Sequence, residues 1–151
     1  MPDVYTTITE APPALLERMM TGLELRAADP QQRAMLDTYL TDAAIPQNAH
    51  VLEVGCGTGA VTRVLAAWPG VAAAVGVDPS PAFVAKARAL GAGQATLTFE
   101  EADGRALPFA SHTFDLVVFH TTHGWCRPPG CSSSISVATA MWKWQRQGSC
   151  W

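Results

Sequence analysis

Between residues 12 and 45 apolar side chains recur every three or four positions, as Leu15, Leu16, Met19, Met20 and Leu23, and again as Met35, Leu36, Tyr39, Leu40 and Ala43. This spacing predicts two helices, each with one apolar stripe that must pack on something. The break between them falls at Asp29-Pro30. Asp29 suits an N-cap, Pro30 suits the first helical position, and Gln32 stands where a capping box needs it. Pro46-Gln47-Asn48 ends the second helix.

From residue 49 the period changes. Short, nearly unbroken apolar runs at Ala49–Val54, Val71–Val77, Ala95–Glu100 and Phe114–Phe119 read as strands. Helical patterns separate them, one from the glycine turn through about Trp68 and one over Ser80–Leu90. The alternation predicts an α/β fold, a parallel sheet covered by helices on both faces and joined by right-handed crossovers.

At 151 residues, 48% hydrophobic and 15% charged, the chain fits one globular domain. A net charge of −3 offers no basic face for phosphate backbones, so nucleic acid is not the expected partner. No apolar stretch is long enough for a membrane span and the N-terminus lacks a secretory pattern, so a cytoplasmic protein with free thiols at Cys56, Cys126, Cys131 and Cys150 is expected.

The candidate chemistry begins at Val51-Leu52-Glu53-Val54-Gly55-Cys56-Gly57-Thr58-Gly59. A strand ending at a glycine turn that opens a helix gathers backbone N–H groups and the positive end of a helix dipole at one spot. Gly55-x-Gly57-x-x-Ala60 also satisfies a dinucleotide fingerprint, so an NAD-binding oxidoreductase module is one reading. Asp78, closing the second strand, stands where a carboxylate accepts hydrogen bonds from ribose hydroxyls, which suits any adenosine-containing ligand. Glu53 and Asp103 discriminate. Glu53 lies inside the first strand, where a carboxylate needs a partner and would repel a pyrophosphate but not a cationic amino-acid head. Asp103, after the third strand, can accept from an exocyclic amine such as that of adenine. The ligand so described has an amine-bearing head, a ribose and an adenine, and no pyrophosphate.

With those residues in hand, 49–122 resembles the class I S-adenosylmethionine-dependent methyltransferases of the type 11, ubiquinone-biosynthesis-like kind. The matching pieces are Val51–Gly59, Val75-Gly76-Val77-Asp78-Pro79-Ser80, Glu101–Phe109 and Phe114–Thr122. The resemblance implies a Rossmann-like sheet of order 3-2-1-4. It also implies S-adenosyl-L-methionine as cofactor, held by Glu53, Gly55, Cys56, Gly57, Gly59, Asp78, Pro79, Ser80, Asp103, Gly104 and His120. Asp78 then takes the ribose hydroxyls, Pro79 or Ser80 flanks the adenine, Asp103 meets its amine, and Gly55 and Gly57 meet the methionine moiety. His120 and Thr121 fall where cofactor and substrate pockets adjoin, and Arg26 is a candidate for the cofactor carboxylate. The implied reaction is in-line transfer of the sulfonium methyl group to a small-molecule acceptor, driven by positioning and exclusion of water, with no catalytic base identified.

The organisation expected is a helical cap over 1–48, the cofactor-binding domain over 49–122, and an irregular tail over 123–151. After Asp115 the chain has no further Asp or Glu, and four of its five tryptophans lie in the tail. That composition is what out-of-frame translation produces, so the tail is not expected to be methyltransferase sequence, and the sheet is expected to be incomplete beyond strand four. A non-catalytic cofactor-binding remnant is therefore a further reading. His120-x-x-His123-x-x-Cys126 followed by Cys131 has zinc-ligand residue types, but its spacing matches no common zinc motif, and no metal is expected.

Overall fold

The structure, a computed structural model, describes residues 8–120 and 140–143. Two helices open it, α1 over Pro13–Ala28 and α2 over Pro30–Asp42. The Asp29 side chain accepts from the N–H groups of Gln31 and Gln32, the capping that the sequence predicts. Its own N–H donates to the Arg26 carbonyl, so the return bond of a capping box is not formed.

The alternating segment follows as β1 (Ala49–Val54), α3 (Ala60–Ala66), β2 (Val71–Asp78), α4 (Pro81–Leu90), β3 (Leu97–Glu101) and β4 (Leu116–Phe119). Helix α3 stops before Trp68, and α4 begins one residue after Ser80, whose hydroxyl caps it by accepting from the Phe83 N–H. The strands run parallel in the order β3-β2-β1-β4, as expected. Beyond β4 the expectation of an incomplete sheet gives way to a fifth strand, β5 (Ala140–Lys143), paired antiparallel to β4. Four residues are too short a run to display a period, so the sequence pattern could not reveal it.

Alternate residues of the strands face two different layers. Val51, Ala74, Leu97, Leu116 and Val118 pack against Leu36 and Leu40 of α2 and Val61 and Leu65 of α3, while Phe99 packs against Val84 and Ala87 of α4. Leu52, Val54, Val75, Val77, Val117 and Phe119 pack on the opposite side against the connection after β3, through Ala102, Leu107, Phe109 and Phe114. Phe109 and Phe114 meet edge to face there, with ring centroids 5.0 Å apart. Each fully buried Leu in these layers, such as Leu40, Leu52 and Leu65, stabilises the fold by roughly 1.5–3 kcal/mol. Helix α1 packs through Met20 onto Phe83 and Ile8, which brings it across the C-terminal ends of the strands.

Candidate functional site

The carboxyl ends of β1, β2 and β4 meet at the point where the strand order reverses, and a cleft of about 720 Å³ opens there. After Val54 the chain turns through Gly55, Gly57 and Gly59 with φ of 74°, 55° and 75°, the left-handed region that side chains disfavour. At Gly59 a Cβ would also stand 2.4 Å from the Phe99 ring, so the turn can approach β3 only as glycine.

Four of the five N–H groups of this loop, over 55–59, are already engaged. Those of Gly55 and Cys56 donate to the Val77 carbonyl at 2.8 and 3.0 Å, and that of Gly59 to the Cys56 carbonyl at 2.8 Å. The Gly57 N–H donates to Asp78 Oδ2 at 2.9 Å. A pyrophosphate needs such donors, and beside this turn two carboxyl groups, Glu53 and Asp78, line the cleft.

Glu53 is 2% exposed in β1. The partner that its burial demands comes from within the chain: the Thr62 hydroxyl, from the first turn of α3, donates to Oε2. The approach is permitted by Gly76 in the neighbouring strand, where a Cβ would stand 2.7 Å from Thr62 Oγ1. Burial pushes the Glu53 carboxyl up to about 8. It is therefore an uncharged acid at neutral pH until a cation beside it draws its proton away.

Asp78 is 7% exposed at the end of β2. Its oxygens hold the Gly57 N–H and the Ser80 N–H, each at 2.9 Å, and burial raises its pKa while those two bonds oppose the rise. Each oxygen keeps a further lone pair, so the group can still accept from a diol.

Glu53, Gly55, Cys56, Gly57, Asp78, Pro79, Gly104 and His120 line the cleft. Gly59 and Ser80 are not among its lining residues; they shape the loop and the α4 cap behind it. Asp103 does not line it either: its carboxylate is held by Arg105 at 2.6 Å, which keeps its pKa low, while Ala102 and Gly104 on either side face the cleft. Cys56 is a buried thiol whose pKa burial raises, the opposite of an activated nucleophile. Thr121, His123, Cys126 and Cys131 lie outside the described residues. Among the described residues no three His, Cys, Asp or Glu gather as a metal site, and no helix is long and apolar enough to cross a membrane.

The N-terminal helices complete the site in ways that periodicity alone did not reveal. Helix α1 contributes Leu23, Glu24, Arg26 and Ala27 to the cleft. Glu24 pairs with Arg63 of α3 at 2.7 Å, and Arg63 also donates to the Thr58 carbonyl at 2.9 Å, which ties α1 to the glycine loop. Glu24 Oε1 and Thr58 Oγ1 are buried without a hydrogen-bond partner among the described residues, and both residues line the cleft. Orphaned oxygens at the wall of a polar cleft fit a ligand that brings its own donors. From α2, the Tyr39 hydroxyl meets His120 Nδ1 at 2.9 Å. Burial, then the nearby Arg26 charge, lowers the His120 pKa; burial, then Glu53, raises that of Tyr39.

Comparison with known proteins converges on one family. Residues 51–143 match the profile of a family described as a methyltransferase domain. The trans-aconitate 2-methyltransferase of Streptomyces avermitilis is 38% identical over 106 residues, covering 67% of this chain and 39% of that protein. The enzyme of the same name from Klebsiella pneumoniae is 55% identical over 42 residues, 27% of this chain and 16% of that one. This chain thus spans about two fifths or less of the relatives it matches. Among solved structures, a Haloferax volcanii protein in complex with a methyltransferase activator superposes with a TM-score of 0.58 at 28% identity, over 71% of this chain and 44% of that one. The cyclase SpnF superposes at 0.52 with 24% identity, over 57% of this chain and 32% of its own, a likeness of fold alone.

Proposed function

Since the chain belongs to the methyltransferase-domain family, we propose that it binds S-adenosyl-L-methionine and transfers the cofactor's methyl group to a small-molecule carboxylic acid. The observation that carries the reading is the polarity of the glycine loop. The N–H groups of Gly55, Cys56, Gly57 and Gly59 are held by Val77, Cys56 and Asp78, and the carboxyl groups of Glu53 and Asp78 line the same cleft, which favours an ammonium head group over a phosphate. In this reading Glu53 and the carbonyls near Gly55, Cys56 and Gly57 bind the methionine ammonium. Arg26 binds its carboxylate, Asp78 the ribose hydroxyls, and Pro79 with the backbone around Ala102 and Gly104 the adenine. Gly59 and Ser80 act behind the site, and Asp103 holds the adenine connection through Arg105.

When bound, the cofactor supplies an electrophilic methyl group on a positively charged sulfur. The chain's own work is to orient the acceptor, keep water out and hold the charges apart until they meet. The carboxylic acid class is suggested by the trans-aconitate 2-methyltransferases it resembles, and it suits a site without a positioned base.

Isothermal titration of the purified chain tests the reading. S-adenosylhomocysteine is expected to bind and NAD not to bind at millimolar concentration, with Asp78→Ala weakening the first at least about tenfold, the loss of one to two charge-assisted hydrogen bonds. Tighter binding of NAD than of S-adenosylhomocysteine by the folded protein refutes it.

A further inference from the structure

Tyr39 and His120 form a polar pair at the wall of the cleft. His120 follows β4 directly, and β4 pairs with β1 in the register Glu53 to Val118, so His120 lies beside Gly55, two residues further along each strand. The adenosine, in the proposed reading, extends the other way, over β2 toward Asp78 and the connection after β3. In that reading the methyl-bearing end of the cofactor would lie toward the β1–β4 junction, and an acceptor would approach on the β4 side, where His120 lines the cleft.

The pair's hydrogen-bond pattern fixes what His120 offers there. Its Nδ1 is joined to the Tyr39 hydroxyl at 2.9 Å, and its Nε2 has no partner among the described residues. Tyr39 Oη likewise has no second partner among them. A phenol is a better donor than acceptor and an imidazole nitrogen a better acceptor than a phenol oxygen, so Tyr39 donates to Nδ1. The proton of the neutral ring is then on Nε2, a donor and not a base, on a residue that lines the cleft. The groups around His120 agree: Arg26 on α1 opposes a second proton on the ring, and Tyr39 on α2 stays a phenol.

We infer that His120, held in its Nε2–H form by Tyr39, binds a carboxylate oxygen of the acceptor by donation, and that the acceptor is methylated on oxygen as its carboxylate without removal of a proton. The inference rests on the methyltransferase reading above. In the step it serves, an acceptor carboxylate oxygen bonds to the methyl carbon as the carbon–sulfur bond breaks, the electron pair staying on sulfur. A cation and an anion become a neutral thioether and a neutral ester, so no base is needed. A hydroxyl acceptor would need one, and an Nε2–H imidazole cannot provide it.

Two substitutions separate a donor from a base. His120→Gln keeps an N–H donor at the distance of Nε2 and has no basic nitrogen; His120→Leu keeps neither. With the full chain saturated with S-adenosylhomocysteine, titration with trans-aconitate, used as a tricarboxylate probe, is expected to show His120→Gln within about threefold of the parent and His120→Leu weaker by at least tenfold. The trimethyl ester of the probe is expected to bind no variant. Tyr39 is a positioning residue, so its readout is the ring itself: 15N NMR is expected to show His120 as the Nε2–H tautomer, and Tyr39→Phe to give a mixture of tautomers. An Nδ1–H tautomer in the parent overturns the inference. So does a His120→Gln variant as impaired as His120→Leu, or a probe that fails to bind while S-adenosylhomocysteine binds. Failure of S-adenosylhomocysteine to bind the folded chain overturns the underlying reading instead, and this inference with it.

Discussion

Replacing Glu53 by Gln removes one titrating proton from the centre of the sheet, and the structure fixes the sign and size of the effect. The carboxyl is pushed from 4.5 to about 8 in the folded protein, chiefly by burial. The folded state therefore holds this proton more tightly than the unfolded chain. Its contribution is fully present below pH 4.5 and is lost as pH rises through 8. Integrated from pH 5 to pH 8, the loss is on the order of 3–4 kcal/mol, or roughly 10 °C in melting temperature for a domain of this size. Glu53→Gln keeps an acceptor for the Thr62 hydroxyl and cannot ionise. Urea unfolding of both proteins without ligand, at half-unit steps from pH 5 to pH 8, is the assay. The parent should lose stability relative to the variant steadily above pH 5, whatever constant offset the amide introduces. Asp78 and His120 titrate in both proteins, so their contributions largely cancel in the difference. Parallel curves across that range would refute the claim that Glu53 is buried as a neutral acid.

The same proton ties cofactor affinity to pH: S-adenosylhomocysteine should bind more tightly as pH rises from 6 to 8, by up to about tenfold per unit, and 5′-methylthioadenosine, which lacks the ammonium, should show no such trend by titration calorimetry. Gly59→Ala should cost about 2–5 kcal/mol in urea unfolding, from left-handed backbone strain and collision with the Phe99 ring. Gly22→Ala, within α1 with nothing inside 4 Å of the new Cβ, should stabilise by about 0.5–1 kcal/mol. Arg63→Met should destabilise by about 1–3 kcal/mol, since it leaves the Glu24 carboxylate half buried without its cation, and should also weaken cofactor binding by loosening α1 from the Thr58 carbonyl.

The elements were legible because their patterns are long or chemically marked. Asp29-Pro30 separates two apolar stripes and caps the second helix as read, and the runs around Val51, Val75, Phe99 and Val117 give four parallel strands in the expected order. The fifth strand was not legible, since Ala140–Lys143 is too short to carry a period. Within the cleft, Glu53 and Asp78 were readable because a carboxyl group inside or at the end of an apolar strand demands an explanation. Asp103 looked equivalent, yet it ends no buried strand and an arginine two residues away holds it at the surface. Tyr39, Thr62 and Glu24 escaped notice for the opposite reason: each sits in an ordinary helical pattern, and its role arises from a contact with a residue distant in sequence.

The Asp78 carboxylate spans two tasks that are often divided among residues. One oxygen holds the Gly57 N–H and the other the Ser80 N–H, so the group that could accept a ribose also draws the glycine loop to the start of α4. In the proposed reading, loop shape and ligand recognition are thereby coupled through one side chain. A drift in ligand preference at this corner cannot proceed by exchanging Asp78 alone, because the exchange that admits a different ligand also releases the backbone that forms the receptor. Change here has to arrive in concert, which makes this corner the part of the molecule most resistant to gradual redesign.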